Sequence, residues 1–283
     1  MNKLTNHINK NSQLSIDQLI EKYILNSQQS KYIMNNIEPR LYNEKYKKRI
    51  YWDNRLFFFG DRHISDKNDP QYVEIREFAN IFLTHNIWKK NIVMVEWCKN
   101  APTDFILSRK EWAASKTLVE FAYINNIERF SPEPDFKDEI DYIKTKWLNI
   151  NQIMYFYISR AISQYYRWQS WYDTIEEYLE TLNFNDEFAI INWCKYSLKL
   201  FEKMHEDIFN NKLDLTNVEH FRSNSSPNKN TLWSEVSMLS WLYRDLYISK
   251  TILNYLSNWY NILTSFGRFH LTVQYDIYDK YFE

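Results

Sequence analysis

Histidine is the side chain best placed to gain or lose a proton near neutral pH, and two of the six histidines in this chain stand in copies of one short pattern. Gly60-Asp61-Arg62-His63 and Gly267-Arg268-Phe269-His270 each set an imidazole three residues after a glycine. The chain has only two glycines in 283 residues, where average usage would give about 20, so each occurs where one of these patterns begins. Two acidic residues occupy comparable places: Glu96 directly follows the apolar run 91–95 (NIVMV), and Glu133 lies in the double-proline turn 131–134 (SPEP) after 127–130 (IERF). Imidazoles and carboxylates brought together can shuttle a proton to and from water or hold a cation.

Positioning them requires strands. Residues 55–59 (RLFFF) and 91–95 are short continuous apolar runs, the pattern of strands buried on both faces. Residues 127–130 read as a weaker third strand, and 261–266 (NILTSF) as the last. Helical periodicity lies between them, over 71–85 after Pro70, over 104–125 and over 232–256, with a closing helix at 273–282 and a packing helix at 15–26 behind Ser15 as N-cap. Strand-helix alternation favours a parallel sheet, because parallel strands need crossover connections. The fold class expected is therefore α/β, a mainly parallel sheet flanked by helices. His63, His270, Glu96 and Glu133 would all leave carboxyl ends of strands, the edge at which such sheets bind ligands.

Each of these residues also has a plainer reading. Glu96, between four apolar residues and Trp97, is expected to be partly buried and to need a partner, from a structural ion pair or from His63 or an arginine. Asp61 can cap its own turn, and Glu133 can be a solvated turn residue. His7, His85, His205 and His220 read as structural, as do most Trp and Tyr at helical spacing.

Composition narrows the remaining classes. Apolar residues are 45% and aromatics 18%, enough for a large core, and no Pro-, Gly- or Ser-rich linker divides the chain, so 1–283 reads as one domain. Within it, 138–258 is expected to be a mostly helical insertion or cover of two or three helices followed by a long one, interrupted by a loop at 221–230 (FRSNSSPNKN). A net charge of −1 from 35 basic and 36 acidic residues offers no field for nucleic acid or an anionic membrane. The longest uncharged window, 251–267, carries Thr, Asn and Ser, too polar for a membrane span. The polar start MNKLTNHINKNSQLS lacks a secretion signal. Cys98 and Cys194 are too few for a disulfide framework and are expected to be inert. A reducing cytoplasm fits these features.

The paired motifs resemble the superfamily that includes TIKI and TraB proteins, haem-binding ChaN proteins and erythromycin esterases. Its signature is a GxxH after the first core strand, an acidic residue after a following strand and a second GxxH near the C-terminus, matched here by Gly60 to His63, by Glu96 and by Gly267 to His270. The likeness covers about residues 50–135 and 240–283. The esterase branch has glutamate where this chain has Asp61, one methylene shorter, and carries an arginine on the helix before the last strand. Arg244 in Tyr243-Arg244-Asp245-Leu246 occupies that place.

Hydrolysis of an ester or peptide bond in a small-molecule or peptide substrate is the leading expectation, with water activated between the histidines. His63, oriented by Glu96, would be the general base, and Arg244 would stabilise the oxyanion. The TIKI likeness implies instead a divalent metal ion held by His63, His270 and Glu96 or Glu133, lowering the pKa of bound water. The ChaN likeness implies a different class, haem or iron bound through histidine and tyrosine, and a catalytically silent interaction protein is a third.

Overall fold

The structure is a computed structural model and describes residue 18 and residues 47–51, 55–64, 66–86, 90–96, 103–108, 114–146, 148–168, 173–181, 197–224 and 233–282. The expected helix at 15–26 lies outside them except for Gln18, which is helical. The polar start, Cys98 and Cys194 lie outside them entirely. The described chain forms two compact units, one of Met1–Glu133 with Arg244–Glu283 and one of Pro134–Tyr243.

The first unit is built on a five-stranded sheet: β1 (Lys47–Tyr51), β2 (Leu56–Asp61), β3 (Asn91–Val95), β4 (Glu128–Phe130) and β5 (Asn261–Gly267), in the order β1-β2-β5-β3-β4. Strands β2, β5, β3 and β4 run parallel, and β1 is an antiparallel edge strand on β2. With helices α1 (Gln71–His85), α2 (Thr103–Ser108), α3 (Ala114–Ile124), α9 (Ser234–Ser257) and α10 (Arg268–Phe282), this is the α/β fold with a mainly parallel sheet.

Apolar runs make the central strands inaccessible to water on both faces, as their sequences require. Phe57, Phe59, Val93, Val95 and Leu263 pack under Tyr72, Ile75, Phe78 and Phe82 of α1 and Leu118, Val119 and Ala122 of α3. On the opposite face Phe58 meets Phe266 and, from α10, Tyr278, with ring centroids 5.8 and 6.1 Å away. Burying each such aromatic contributes about 2–3 kcal/mol. Arg55, just before β2, donates through Nη2 to Leu256 O at 2.7 Å and Tyr260 O at 2.8 Å, satisfying carbonyls at the end of α9 and in the turn to β5.

The last strand takes a central place. β2 and β3 are separated by one strand width, and β5 fills it, pairing in register Asp61 with Gly267 on one side and Val95 with Ser265 on the other. The two glycine motifs thus become neighbours, and Gly60 is obligatory for a steric reason: a Cβ there would lie 2.8 Å from Cα of Arg268.

The second unit is helical: α4 (Phe136–Lys144), α5 (Ile150–Trp168), α6 (Ile175–Thr181), α7 (Leu198–Phe209), α8 (Val218–Asn224) and the start of α9. Its core gathers Ile153, Tyr155, Phe156 and Ile158 of α5 with Phe201, Phe221 and Trp233. Tyr155 Oη bridges His205 Nδ1 and His220 Nε2, each at 2.8 Å, so both histidines are structural partners within this unit.

Several boundaries differ from those read in the sequence. The helical unit spans 134–243 rather than 138–258, because the second half of α9 belongs with the sheet. The segment expected as a loop from 221 is helical through Asn224, since Asn217 Oδ1 accepts from His220 N at the helix start and Phe221 is buried; 225–230 lie outside the described residues. The helix expected over 104–125 is two helices, α2 and α3, with 109–113 outside the described residues. The closing helix begins at Arg268, directly after β5, not at 273. β1 escaped notice because KKRIY neither alternates nor is apolar.

Gly60→Ala is expected to lower unfolding free energy by about 1–3 kcal/mol, the cost of overpacking a site whose neighbour is backbone. Chemical denaturation measures it; an unchanged midpoint would mean that β2 and α10 are not held this close.

Candidate functional site

The centre lies at the carboxyl ends of the strands in the first unit. His63 leaves β2 with φ of 50°, the left-handed region, which is unfavourable for a residue with a Cβ. Asp61 fixes it there: Oδ1 accepts from His63 N at 3.0 Å and also meets Nδ1 at 2.7 Å. One carboxylate oxygen therefore closes the turn and orients the ring. Nε2 is left facing Oε2 of Glu96, 3.5 Å away. The ring lies directly over Gly267, where a Cβ would come within 2.6 Å of Nε2. Each glycine thus makes room for part of the other motif: Gly60 for the backbone at Arg268, Gly267 for the ring of His63.

Glu96 is 6% exposed and sits at the middle of the cluster. Oε2 accepts from Gly267 N at 3.0 Å, at the N-terminus of α10, where the helix dipole favours negative charge. Oε1 accepts from Arg244 Nη2 at 3.3 Å and faces His270 Nε2 at 3.9 Å. Burial pushes this carboxyl up, but His63, His270, Arg244 and the Gly267 N–H outweigh it and hold the pKa down at about 2.

Arg244 gives Glu133 a bidentate pair, Nε to Oε2 at 2.9 Å and Nη2 to Oε1 at 2.8 Å, and both side chains are buried. Its Nε and Nη2 are thus engaged with carboxylates, which makes it a clamp joining the ends of β3 and β4. The oxyanion role expected of Arg244 in hydrolysis would compete with those bonds.

His270 occupies the first turn of α10. Nδ1 meets Asp245 Oδ1 at 2.7 Å, and the same oxygen accepts from Gln274 Nε2 at 2.6 Å. Burial favours the neutral ring, but the charge and hydrogen bond of Asp245, with Glu96, outweigh burial and Arg244, and the pKa is raised.

All six residues singled out in the sequence therefore lie in one cluster. His63 with Asp61, and His270 with Asp245, form two Asp–His pairs that face opposite oxygens of Glu96; Arg244 ties Glu96 to Glu133. Asp245 and Gln274 were not anticipated. Their signal was present: Arg244-Asp245 is a charged pair set in an otherwise largely uncharged helical stretch, and His270, Gln274 and Tyr278 recur every four residues on one face of α10. Arg62 points elsewhere, its Nη2 pairing with Asp69 at 2.7 Å. Side chains of the centre are 2–11% exposed except that of His63, at 27%, which is the part most open to solvent.

Among the described residues no group of three His, Cys, Asp or Glu side chains is arranged to hold a metal ion. Each oxygen of Glu96 accepts one N–H group, that on Oε1 coming from a guanidinium. Among the described residues no helix is long and apolar enough to cross a membrane. Comparison with protein-family models, curated proteins and solved structures finds no match to this chain.

Because the pKa of His270 is raised in the folded state, its contribution to stability is complete below the unfolded value of 6.5 and is lost as pH rises through the folded value. Unfolding free energy is therefore expected to fall on the alkaline side of 6.5, and His270→Asn is expected to flatten that fall. Denaturation midpoints across pH 6 to 10 would check this; the same alkaline slope in both proteins would show that His270 is not the group responsible.

Proposed function

We propose that this centre hydrolyses an ester or peptide bond, with His63 transferring the proton of the attacking water. The observation that carries the reading is the Asp61–His63 pair beside ionised Glu96, with His63 the most solvent-exposed side chain of the cluster. An Nδ1 proton donated to Asp61 leaves a lone pair on Nε2, and orientation by a carboxylate is what a histidine base needs. As Nε2 takes a proton from water, positive charge develops between Asp61 and Glu96, both of which stabilise it. The proton then passes to the leaving group, restoring neutral His63.

This assigns roles differently from a reading by position alone. Asp61 orients His63, Glu96 supplies the charge that stabilises the imidazolium, and Arg244 with Glu133 holds Glu96 in place. A small-molecule or peptide substrate suits a centre of this kind, and the reading agrees with the esterase branch of the superfamily that the paired motifs resemble. A metal-dependent version would use the lone pairs that Glu96 keeps beside its hydrogen bonds to Arg244 and Gly267, and the chelator arm of the assay separates it from the metal-free one.

A panel of ester, peptide and phosphate substrates, assayed with and without a chelator, tests the reading. Wild type is expected to cleave esters or peptides irrespective of chelator, and His63→Ala and Asp61→Asn to lose about 100-fold or more in kcat. Equal activity in wild type and His63→Ala would refute it, and loss of activity with chelator alone would replace it with the metal-dependent version.

A further inference from the structure

Asp245 is 1% exposed, and its Oδ1 accepts two hydrogen bonds whose directions can be worked out. A carboxylate only accepts, so Gln274 must present its amide N–H₂ to it, leaving Oε1 of Gln274 to accept from Tyr278 Oη at 2.6 Å. Gln274 and Tyr278 are fully buried, so this chain is shielded from competing water. By the same logic Nδ1 of His270 must carry a proton. That ring is then fixed in both tautomer and direction, with Nε2 aimed at Glu96 Oε1, 3.9 Å away.

The resulting order of groups across the centre is Asp245, His270, Glu96, His63, Asp61. Acid and imidazole alternate along it, and Arg244 and Glu133 flank it at Glu96. We infer that Asp245 is a positioning residue of this centre: its hydrogen bond holds His270 with the proton on Nδ1 and aims Nε2 at Glu96, and so governs how strongly Glu96 acts on His63. The inference deepens the hydrolytic reading and rests on it for its kinetic consequence. It does not need that reading for its structural part.

The consequences have definite signs. In Asp245→Asn the side-chain charge is gone, so His270 gives up its proton at lower pH. Glu96 then loses a compensating cation and holds the proton of His63 more firmly, which moves the rising limb of the pH–rate profile to higher pH. Gln274→Met acts in the opposite sense on His270, because an Asp245 carboxylate relieved of one donor attracts the remaining imidazole proton more strongly. A purely structural role would not move the two variants in opposite directions.

Nitrogen-15 NMR of His270 in the full chain reads the first effect without any substrate. The expected results are an Nδ1-protonated ring in wild type, a titration midpoint lower by about one pH unit or more in Asp245→Asn, and a higher midpoint in Gln274→Met. On the ester or peptide substrate found active, Asp245→Asn is expected to lower kcat on the order of tenfold at neutral pH, with KM nearly unchanged and the rising limb shifted upward. Unchanged His270 titration in both variants overturns the inference whether or not the protein hydrolyses anything. Moved titrations in a protein with no hydrolytic activity support the Asp245–His270 coupling and remove the hydrolytic reading. If Asp245→Asn does not fold, a rise in Gln274→Met still supports the coupling, and no change there overturns it.

Discussion

A carboxylate cut off from water has to be surrounded by positive charge and hydrogen-bond donors, or give up its own charge. Glu96 meets that requirement through four neighbours drawn from different parts of the chain: His63, His270, Arg244 and the backbone N–H of Gly267. Removing one partner of a buried pair costs about 3–5 kcal/mol because the other charge is stranded. The ends of β2, β3 and β5 and the middle of α9 are therefore tied to one another through a single side chain. Charge balance adds to this. Asp61, Glu96, Glu133 and Asp245 outnumber Arg244 in the cluster, so a proton gained by either imidazole brings the centre closer to neutrality.

The scarcity of glycine follows from how closely these elements approach. Each glycine faces part of the other motif at a distance no Cβ would allow, and the parallel register that sets Asp61 opposite Gly267 brings both contacts about at once. Packing at the sheet ends follows from the pairing of β2 with β5, and electrostatics at Glu96 from that pairing together with β3 against β5. A hydrolytic centre gains from this arrangement because its proton-transfer group is fixed before any substrate arrives.

Much of the sheet unit was legible in the sequence. The short apolar runs at 56–59 and 92–95 favour buried strands, so the positions of His63 and Glu96 after them followed from local pattern. The helix over 71–85 was equally plain, with Pro70 before it and apolar residues at helical spacing. Roles were harder to read than positions. Whether Asp61 caps a turn or orients His63 depends on the left-handed backbone of His63, and both turn out to hold, through one oxygen atom. Asp245 was missed because a charged residue on a long helix normally faces water. Here it accepts hydrogen bonds from His270 and Gln274 of α10, a pairing that element order alone does not specify. The short helix at Val218–Asn224 was hidden for the opposite reason: its Ser and Asn content reads as loop, while burial of Phe221 decides the matter.

Glu96 is buried and yet ionised because two imidazoles and a guanidinium converge on it. Carbon-13 NMR of the side-chain carboxyl of Glu96, followed through an acid titration of the intact protein, tests it directly. The resonance is expected to stay at its ionised position well below the ordinary carboxyl range and to move only near pH 2. A midpoint at or above 4.5 while the fold persists would show that the neighbouring charges do not converge on Glu96, and would contradict the account.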